Sequence, residues 1–539
     1  SGRWLSFPAP AVPAVMRRLP ARLSDPRQAW PAPLRGLLPA GAVMDAIAVT
    51  ILAAACALVG GVRRASTGRW FGPRWPTRSA GRRRAVRHHD PAIAGARWAT
   101  RRDLTPLRIR QPAPGRLVVG RSGRHLVATE HRHSVLVLGP TQSGKTTGLA
   151  IPAILEWAGP VVATSVKDDL AAATLGWRGG QGSCWVFDPT RSSGLARPAG
   201  WSPLAEATGW SGAQRVAAWM VESTPARGGM SDGAFWFAAA AKLLAPLLLA
   251  ARRGDATMAD VVRWTNCGDY DEALRILDFH GDMEAAVALA ACAARDDRLR
   301  SSVGTTLETV LGPFEDPVVA SSTSTIDIDP SALLSGPNSL YLCGPSHEQA
   351  RVQALFATLV ASVVSAAVAR ANHLDGPLDP PLLLVLDEAA NVAPLRDLDT
   401  LASTGAGLGI QLVTVCQDIG QLGARYGPER ARTIANNHRA KVVLSGISDL
   451  STLDLLSGLA GEAAVRTDTM TSDLRDGRRS RSTAIAYRRL ASSDELRRIE
   501  PGEGVLIYGH LPAARLALRP WYLDRSLRAR VDKAPGHRP

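Results

Sequence analysis

Nine consecutive residues, Gly139-Pro140-Thr141-Gln142-Ser143-Gly144-Lys145-Thr146-Thr147, follow the apolar run Val135-Leu136-Val137-Leu138. A strand, a glycine-bounded loop and a helix in that order cradle phosphates. The loop N–H groups and the helix N-terminus hold the oxygens, Lys145 neutralises the terminal ones and the Thr146 hydroxyl ligates Mg²⁺. With these residue frequencies the spacing G-x4-G-K-[ST] arises by accident roughly 0.005 times in a chain of this length. The chain has five lysines (Lys145, Lys167, Lys242, Lys441, Lys533) against 58 arginines, so a lysine at this position carries weight. A second signal is Pro381-Leu382-Leu383-Leu384-Val385-Leu386-Asp387-Glu388, the apolar strand ending in two acids of a Walker B pattern. Such a strand delivers Asp387 to the Mg²⁺ shell and Glu388 to an attacking water. A third strand, Gln411 to Cys416, ends in Gln417-Asp418. A glutamine there either orients water and reports the terminal phosphate or serves as an ordinary loop hydrogen-bonder.

Positioning these groups requires strands alternating with helices, which predicts an α/β fold: a parallel sheet wrapped by helices. Short strands are expected at Leu117–Gly120 and His125–Ala128, then at Pro160–Thr164, Cys184–Phe187, Ser339–Cys343 and Lys441–Ser445. Gly504–Tyr508 and Ala517–Tyr522 are expected to complete the sheet. From about 209 to 320 the apolar period changes to that of helices, with starts near Ser231-Asp232, Ala256 and Asp271, which predicts an all-α domain inserted between strands. Its Trp and Phe residues are expected in the core. Polar residues 462–488 predict an exposed hairpin or loop.

The 539 residues carry a net charge of +15, concentrated in residues 1–134, which hold 24 Arg, no Lys and five acidic residues. That basic segment suits anionic lipid, nucleic acid or both. Residues 1–36 are rich in Pro, Ala and Arg. Leu37–Val62 is apolar apart from Asp45, long enough to span a bilayer, and is followed by arginines that place the C-terminal body on the cytoplasmic side. Residues 63–114 read as a basic juxtamembrane linker. The nucleotide-binding domain is expected in two parts, 115–206 and 326–526, around the insertion at 207–325, with a flexible tail at 527–539. Six scattered cysteines without paired spacing read as reduced and buried.

The chain resembles the TraG/TraD family of type IV secretion coupling proteins over about residues 115–525. The likeness rests on Gly139–Thr147, Ser165-Val166-Lys167-Asp168-Asp169-Leu170, Trp201-Ser202-Pro203-Leu204 and the helical insertion. It continues with Leu386-Asp387-Glu388-Ala389, Gln417-Asp418-Ile419-Gly420-Gln421-Leu422 and Ile434-Ala435-Asn436-Asn437. The first and fourth motifs belong to any P-loop ATPase, and the others are more specific. The resemblance implies a RecA-like P-loop NTPase using ATP and Mg²⁺. It also implies a homo-hexameric ring on the inner or plasma membrane that takes DNA, relaxase or effector protein and passes it to secretion-channel components. Two features depart from the family. One span is found where two are usual, which fits an upstream span or a different topology, and Arg425, Arg430, Arg432 and Arg439 all compete for the role of trans-acting arginine. An FtsK/HerA-like DNA translocase and a nucleotide-gated receptor for secreted protein are the rival readings.

Overall fold

The computed structural model describes residues 95–165, 168–195, 198–224, 233–345, 347–472 and 479–532, all within one compact unit, His89–Pro539. The expected span 37–62, the basic segments on either side of it up to residue 94, Lys167, Ser231-Asp232 and the arginine at 478 lie outside the described residues.

Fourteen strands are described: β1 Arg108–Ile109, β2 Val118–Ser122, β3 His125–Ala128, β4 Val135–Leu138, β5 Val161–Ser165, β6 Cys184–Phe187 and β7 Ser339–Cys343. The remainder are β8 Leu382–Leu386, β9 Ile410–Cys416, β10 Ala440–Leu444, β11 Glu462–Ser472, β12 Arg479–Arg489, β13 Glu503–Tyr508 and β14 Ala514–Ala517. Twelve form one sheet in the order β1-β3-β2-β14-β13-β10-β4-β9-β8-β5-β7-β6. From β10 to β6 every pairing is parallel. The edge from β13 to β1 is antiparallel, a departure from an all-parallel sheet. Short turns join β2 to β3 and β13 to β14, and a short turn pairs strands antiparallel, whereas a parallel neighbour needs a crossover.

The central strands are apolar on both faces because both are covered. Along β4, Val135 and Val137 belong to one core and Leu136 and Leu138 to the other; β8 divides the same way, with Leu383 and Val385 opposite Leu382, Leu384 and Leu386. Each such fully buried side chain contributes about 2 kcal/mol of hydrophobic stabilisation before entropy is counted. The first face is closed by the helices Ile151–Glu156, Asp169–Gly179 and Arg525–Asp532. The second carries the helices Trp210–Ser223, Gly233–Arg253 and Gln349–His373, so the helical insertion shares a core with the sheet. Phe235–Arg253 and Gln349–His373 are long and apolar enough to cross a membrane, but 61% and 67% of their apolar windows are buried against the rest of the protein.

Several boundaries shift. Folding begins before Leu117: Leu104 and Leu107 are already core residues, so the chain from 95 onward is part of the body. The last sheet strand ends at Ala517, not Tyr522; Pro520, which lacks an N–H, lies in the segment that turns away. Arg525–Asp532 is a helix where a tail was expected, anchored by buried Leu527 and Val531 one turn apart. In the insertion, Trp264 is buried, but Phe235 and Phe279 are 56% and 85% exposed, against expectation. Cys292, Cys343 and Cys416 are buried, whereas Cys267, at the end of the helix Met258–Cys267, is exposed; Cys56 lies outside the described residues. Residues 462–472 and 479–489 form the two-stranded hairpin β11–β12.

One buried cation holds the lower ends of β5 and β7 together. Arg178 is fully buried and donates to the carbonyls of Trp157 (2.6 Å), Gly159 (2.7 Å) and Pro337 (2.9 Å) and to the Ser339 hydroxyl (2.7 Å). Replacing it by methionine keeps the bulk but leaves these acceptors without donors. Arg178→Met is expected to lower the unfolding free energy by about 3 kcal/mol or more in urea titrations, and Arg178→Lys, which lacks the planar fork, to recover only part.

Candidate nucleotide-binding site

The site forms at the carboxyl ends of β4, β8 and β5, where an open parallel sheet leaves a crevice. Register decides which loops meet there. Leu138 pairs with Cys416 and Leu386 with Thr414, so β9 separates β4 from β8 and brings the loops that leave them to one level. The Gly139 N–H donates to the Cys416 carbonyl (3.2 Å), which fixes the start of the glycine loop against β9. A Cβ on Gly139 would lie 2.6 Å from Ser143 Oγ and 2.9 Å from Leu444 Cβ, so only glycine fits. Gly144 adopts φ +87°, a conformation side chains disfavour, and reverses the chain into the turn Thr146–Ala150 and the helix Ile151–Glu156.

Lys145 is 8% exposed, and its Nζ donates to the Gly139 and Pro140 carbonyls, each at 2.6 Å. Burial lowers its pKa, opposed by the carboxylates of Asp387 and Glu388. Across β9, Thr146 Oγ1 donates to Asp387 Oδ2 at 2.9 Å. The Thr164 hydroxyl of β5 donates to the Asp387 carbonyl at 3.2 Å and steadies the turn that follows. Asp387 is 7% exposed, and burial raises its pKa to about 6 despite the Thr146 hydrogen bond and Lys145. Glu388 is half-buried in the left-handed region, φ +53°, a non-glycine conformation that costs about 1–3 kcal/mol and recurs at functional sites.

These groups line one cavity of about 890 Å³ together with Ser165 and Asp169 after β5. In the sequence, the Ser165–Leu170 motif carries no site role of its own. The cavity's other walls were not expected from the sequence: Ser445-Gly446 after β10, Pro501-Gly502 before β13, and Leu518, Pro520 and Tyr522 after β14. No spacing signals these, since three separate loops converge only once the sheet is assembled. Gln417 does not line the cavity. Its N–H donates to Gln421 Oε1 (3.0 Å), while Asp418 caps the helix Ile419–Tyr426 by accepting from the Gln421 N–H (2.7 Å), so the double-glutamine motif shapes the turn after β9. Of the four arginines, Arg425 donates to the Ser223 carbonyl and Arg430 pairs with Asp399 at 2.6 Å, whereas Arg432 and Arg439 are exposed. Asn437 donates to the Asp399 carbonyl (2.9 Å).

The donor set fits a magnesium–nucleotide. A hydroxyl and a carboxylate 2.9 Å apart are hard oxygen ligands of the kind Mg²⁺ takes alongside phosphate oxygens. A lysine ammonium and a glycine-bent loop supply the anion cradle.

The buried acid makes stability depend on pH. With a native pKa near 6 against an ordinary 3.8, the folded chain holds a proton that the unfolded chain has released between those values. The contribution of this group to stability is therefore greatest below about pH 4 and is lost as pH rises through 6. Without divalent cations, Asp387→Asn is expected to remove this fall and to exceed the unaltered chain at pH 7 by on the order of 2 kcal/mol in urea unfolding. Parallel pH profiles would contradict it.

Three comparisons bear on this architecture. Residues 90–537 match the family described as Type IV secretory system Conjugative DNA transfer. Two conjugal transfer proteins TraG of Escherichia coli are similar: one is 30% identical over 419 residues, covering 69% of this chain and 63% of that protein. The other is 28% identical over 474 residues, covering 77% and 72%. The chain thus spans somewhat less than two thirds of the first. Among solved structures, the plasmid coupling protein TrwB in complex with ADP and Mg²⁺ superimposes with a TM-score of 0.60 at 20% identity, over 79% of this chain and 94% of that one, so the two share a fold. With the family match running from the first packed residues through the last helix, the chain belongs to the type IV secretory system conjugative DNA transfer family.

Proposed function

We propose that this chain is the membrane-anchored ATPase of a conjugative type IV secretion system, which recruits DNA, protein or both and drives their transfer by ATP hydrolysis. The observation that carries the reading is the Thr146–Asp387 contact across β9, beside Lys145 and Glu388 in one cavity. The similar TrwB structure was solved with ADP and Mg²⁺, which supports the same ligands here.

In this reading the Gly139–Thr147 loop holds the phosphates, and Lys145 leaves the loop carbonyls to neutralise the terminal ones. Thr146 and Asp387 would hold Mg²⁺, which when bound offsets charge on the transferring phosphoryl group. Binding of a divalent cation also stabilises the ionised form of Asp387, whose burial otherwise favours the proton. Glu388, aimed by its left-handed backbone, orients and polarises the attacking water. Gln417 follows the strand whose last carbonyl holds Gly139, so a shift of the loop reaches it directly, and we assign it the part of relaying nucleotide state. An arginine from a neighbouring subunit of a hexameric ring would complete the site, and the exposed Arg432 and Arg439 are the residues free to serve. Anchoring rests on the apolar segment 37–62 and the arginines after it.

The test is ATP turnover by the full chain with and without DNA. Lys145→Ala and Glu388→Gln are each expected to reduce turnover at least about 100-fold. Glu388→Gln retains ATP binding and Lys145→Ala loses it. Added DNA is expected to raise turnover of the unaltered chain. Unchanged turnover in both variants would overturn the assignment, and indifference to DNA would favour protein as the cargo.

A further inference from the structure

The segment that follows β14 is held over the glycine loop by contacts that the phosphate chemistry does not need. Leu518 donates its N–H to the Gly502 carbonyl (2.8 Å), and its side chain packs 3.5 Å from where a Cβ on Gly144 would stand. The Trp521 N–H donates to the Thr147 carbonyl (3.0 Å), tying the segment to the first turn after the loop. Arg519, 4% exposed, makes a two-pronged pair with Glu156 (2.8 and 3.0 Å) at the end of the helix Ile151–Glu156 and a third bond to Asp524 (3.0 Å). Asp524 also accepts from Arg121 of β2 (2.8 Å) and from the Ser526 hydroxyl (2.6 Å). These bonds tie Arg519 and Asp524 to the helix Ile151–Glu156 and to β2. What they fix is a short strap, 518–524, that presents Pro520 and the 47% exposed ring of Tyr522 to the nucleotide cavity.

We propose that this strap is the nucleoside subsite, with Tyr522 as the stacking platform for a purine base; the inference rests on the phosphate-cradle reading above. The direction follows from the cradle. Terminal phosphates lie at Lys145 and the Thr146–Asp387 pair, so the sugar and base of a bound triphosphate extend past Thr147, away from Asp387. The wall past Thr147 is the strap, bonded to it through Trp521. Facing it in the same cavity are Pro501 and Gly502. This end is lined by Pro501, Gly502, Leu518, Pro520 and Tyr522, none of them with a charged or amide side chain, so the base is held by its faces and its edge is scarcely read. Adenine and guanine are therefore accepted alike. Arg519 acts as a positioning residue through the strap.

Equilibrium binding of ATP, GTP and inorganic tripolyphosphate to the full chain tests this. Tyr522→Ala is expected to weaken ATP and GTP each about 10-fold, with tripolyphosphate unchanged, because only the stacking contact is removed. Tyr522→Phe, which keeps the ring, is expected to bind all three as the unaltered chain does. An ATP affinity unmoved by Tyr522→Ala, or an equal loss for tripolyphosphate, would overturn the proposal. Lys145→Ala reports on the cradle separately: it is expected to weaken all three ligands, and if it spares them the cradle reading fails whatever Tyr522 does.

Discussion

A carboxylate carried to the end of a fully buried strand is the constraint on which the rest of this protein turns. Asp387 sits where charge is costly, and its partners within the chain, the Thr146 hydroxyl and the Lys145 ammonium, only partly offset that cost. A divalent cation bridged by phosphates would relieve it, so that the same burial that disfavours the free carboxylate at neutral pH would favour the loaded chain. The arrangement depends on register. A slip of β4 or β8 by one residue against β9 would reverse which side chains face each core and would separate Thr146 from Asp387.

The sheet holds that register because it is buried on both sides. Helices at 151–156, 169–179 and 525–532 close one face, and the insertion with the long helix Gln349–His373 closes the other. The insertion is joined to the body by polar contacts as well as by shared core. Arg425 and Gln353 both donate to the Ser223 carbonyl, and Arg396 pairs with Glu222, so the end of the helix Trp210–Ser223 is gripped from three elements. The two helices long and apolar enough to cross a membrane are the timbers of this layer; their hydropathy reflects burial in the protein.

Much of the site was legible in the sequence because it lies on short, local patterns. The loop Gly139–Thr147 and the strand ending in Asp387-Glu388 each state their chemistry within ten residues, and alternating strands and helices gave the layered sheet. The strap 518–524 was not legible. Its role comes from Arg519 reaching Glu156 and Asp524, contacts of very different sequence separation that no periodicity reports. The helix Arg525–Asp532 was missed because its polar surface outweighs the two residues, Leu527 and Val531, that dock it. Exposure of Phe279 and Cys267 likewise depends on where the insertion's helices end, which composition does not fix. Gln417 stands out in the sequence only by its position at a strand end; in the structure Gln421 holds its backbone, and Gln417 is not among the residues that line the cavity.

The central claim is that Thr146 and Asp387 act as one unit on a single cation, and a double-mutant cycle on Mg²⁺-dependent ATP affinity tests it most directly. Thr146→Ala and Asp387→Asn are each expected to weaken Mg²⁺–ATP, and the double variant to be little worse than the poorer single one, because either change already breaks the shared site. Strictly additive losses would contradict it, showing two residues that bind independently.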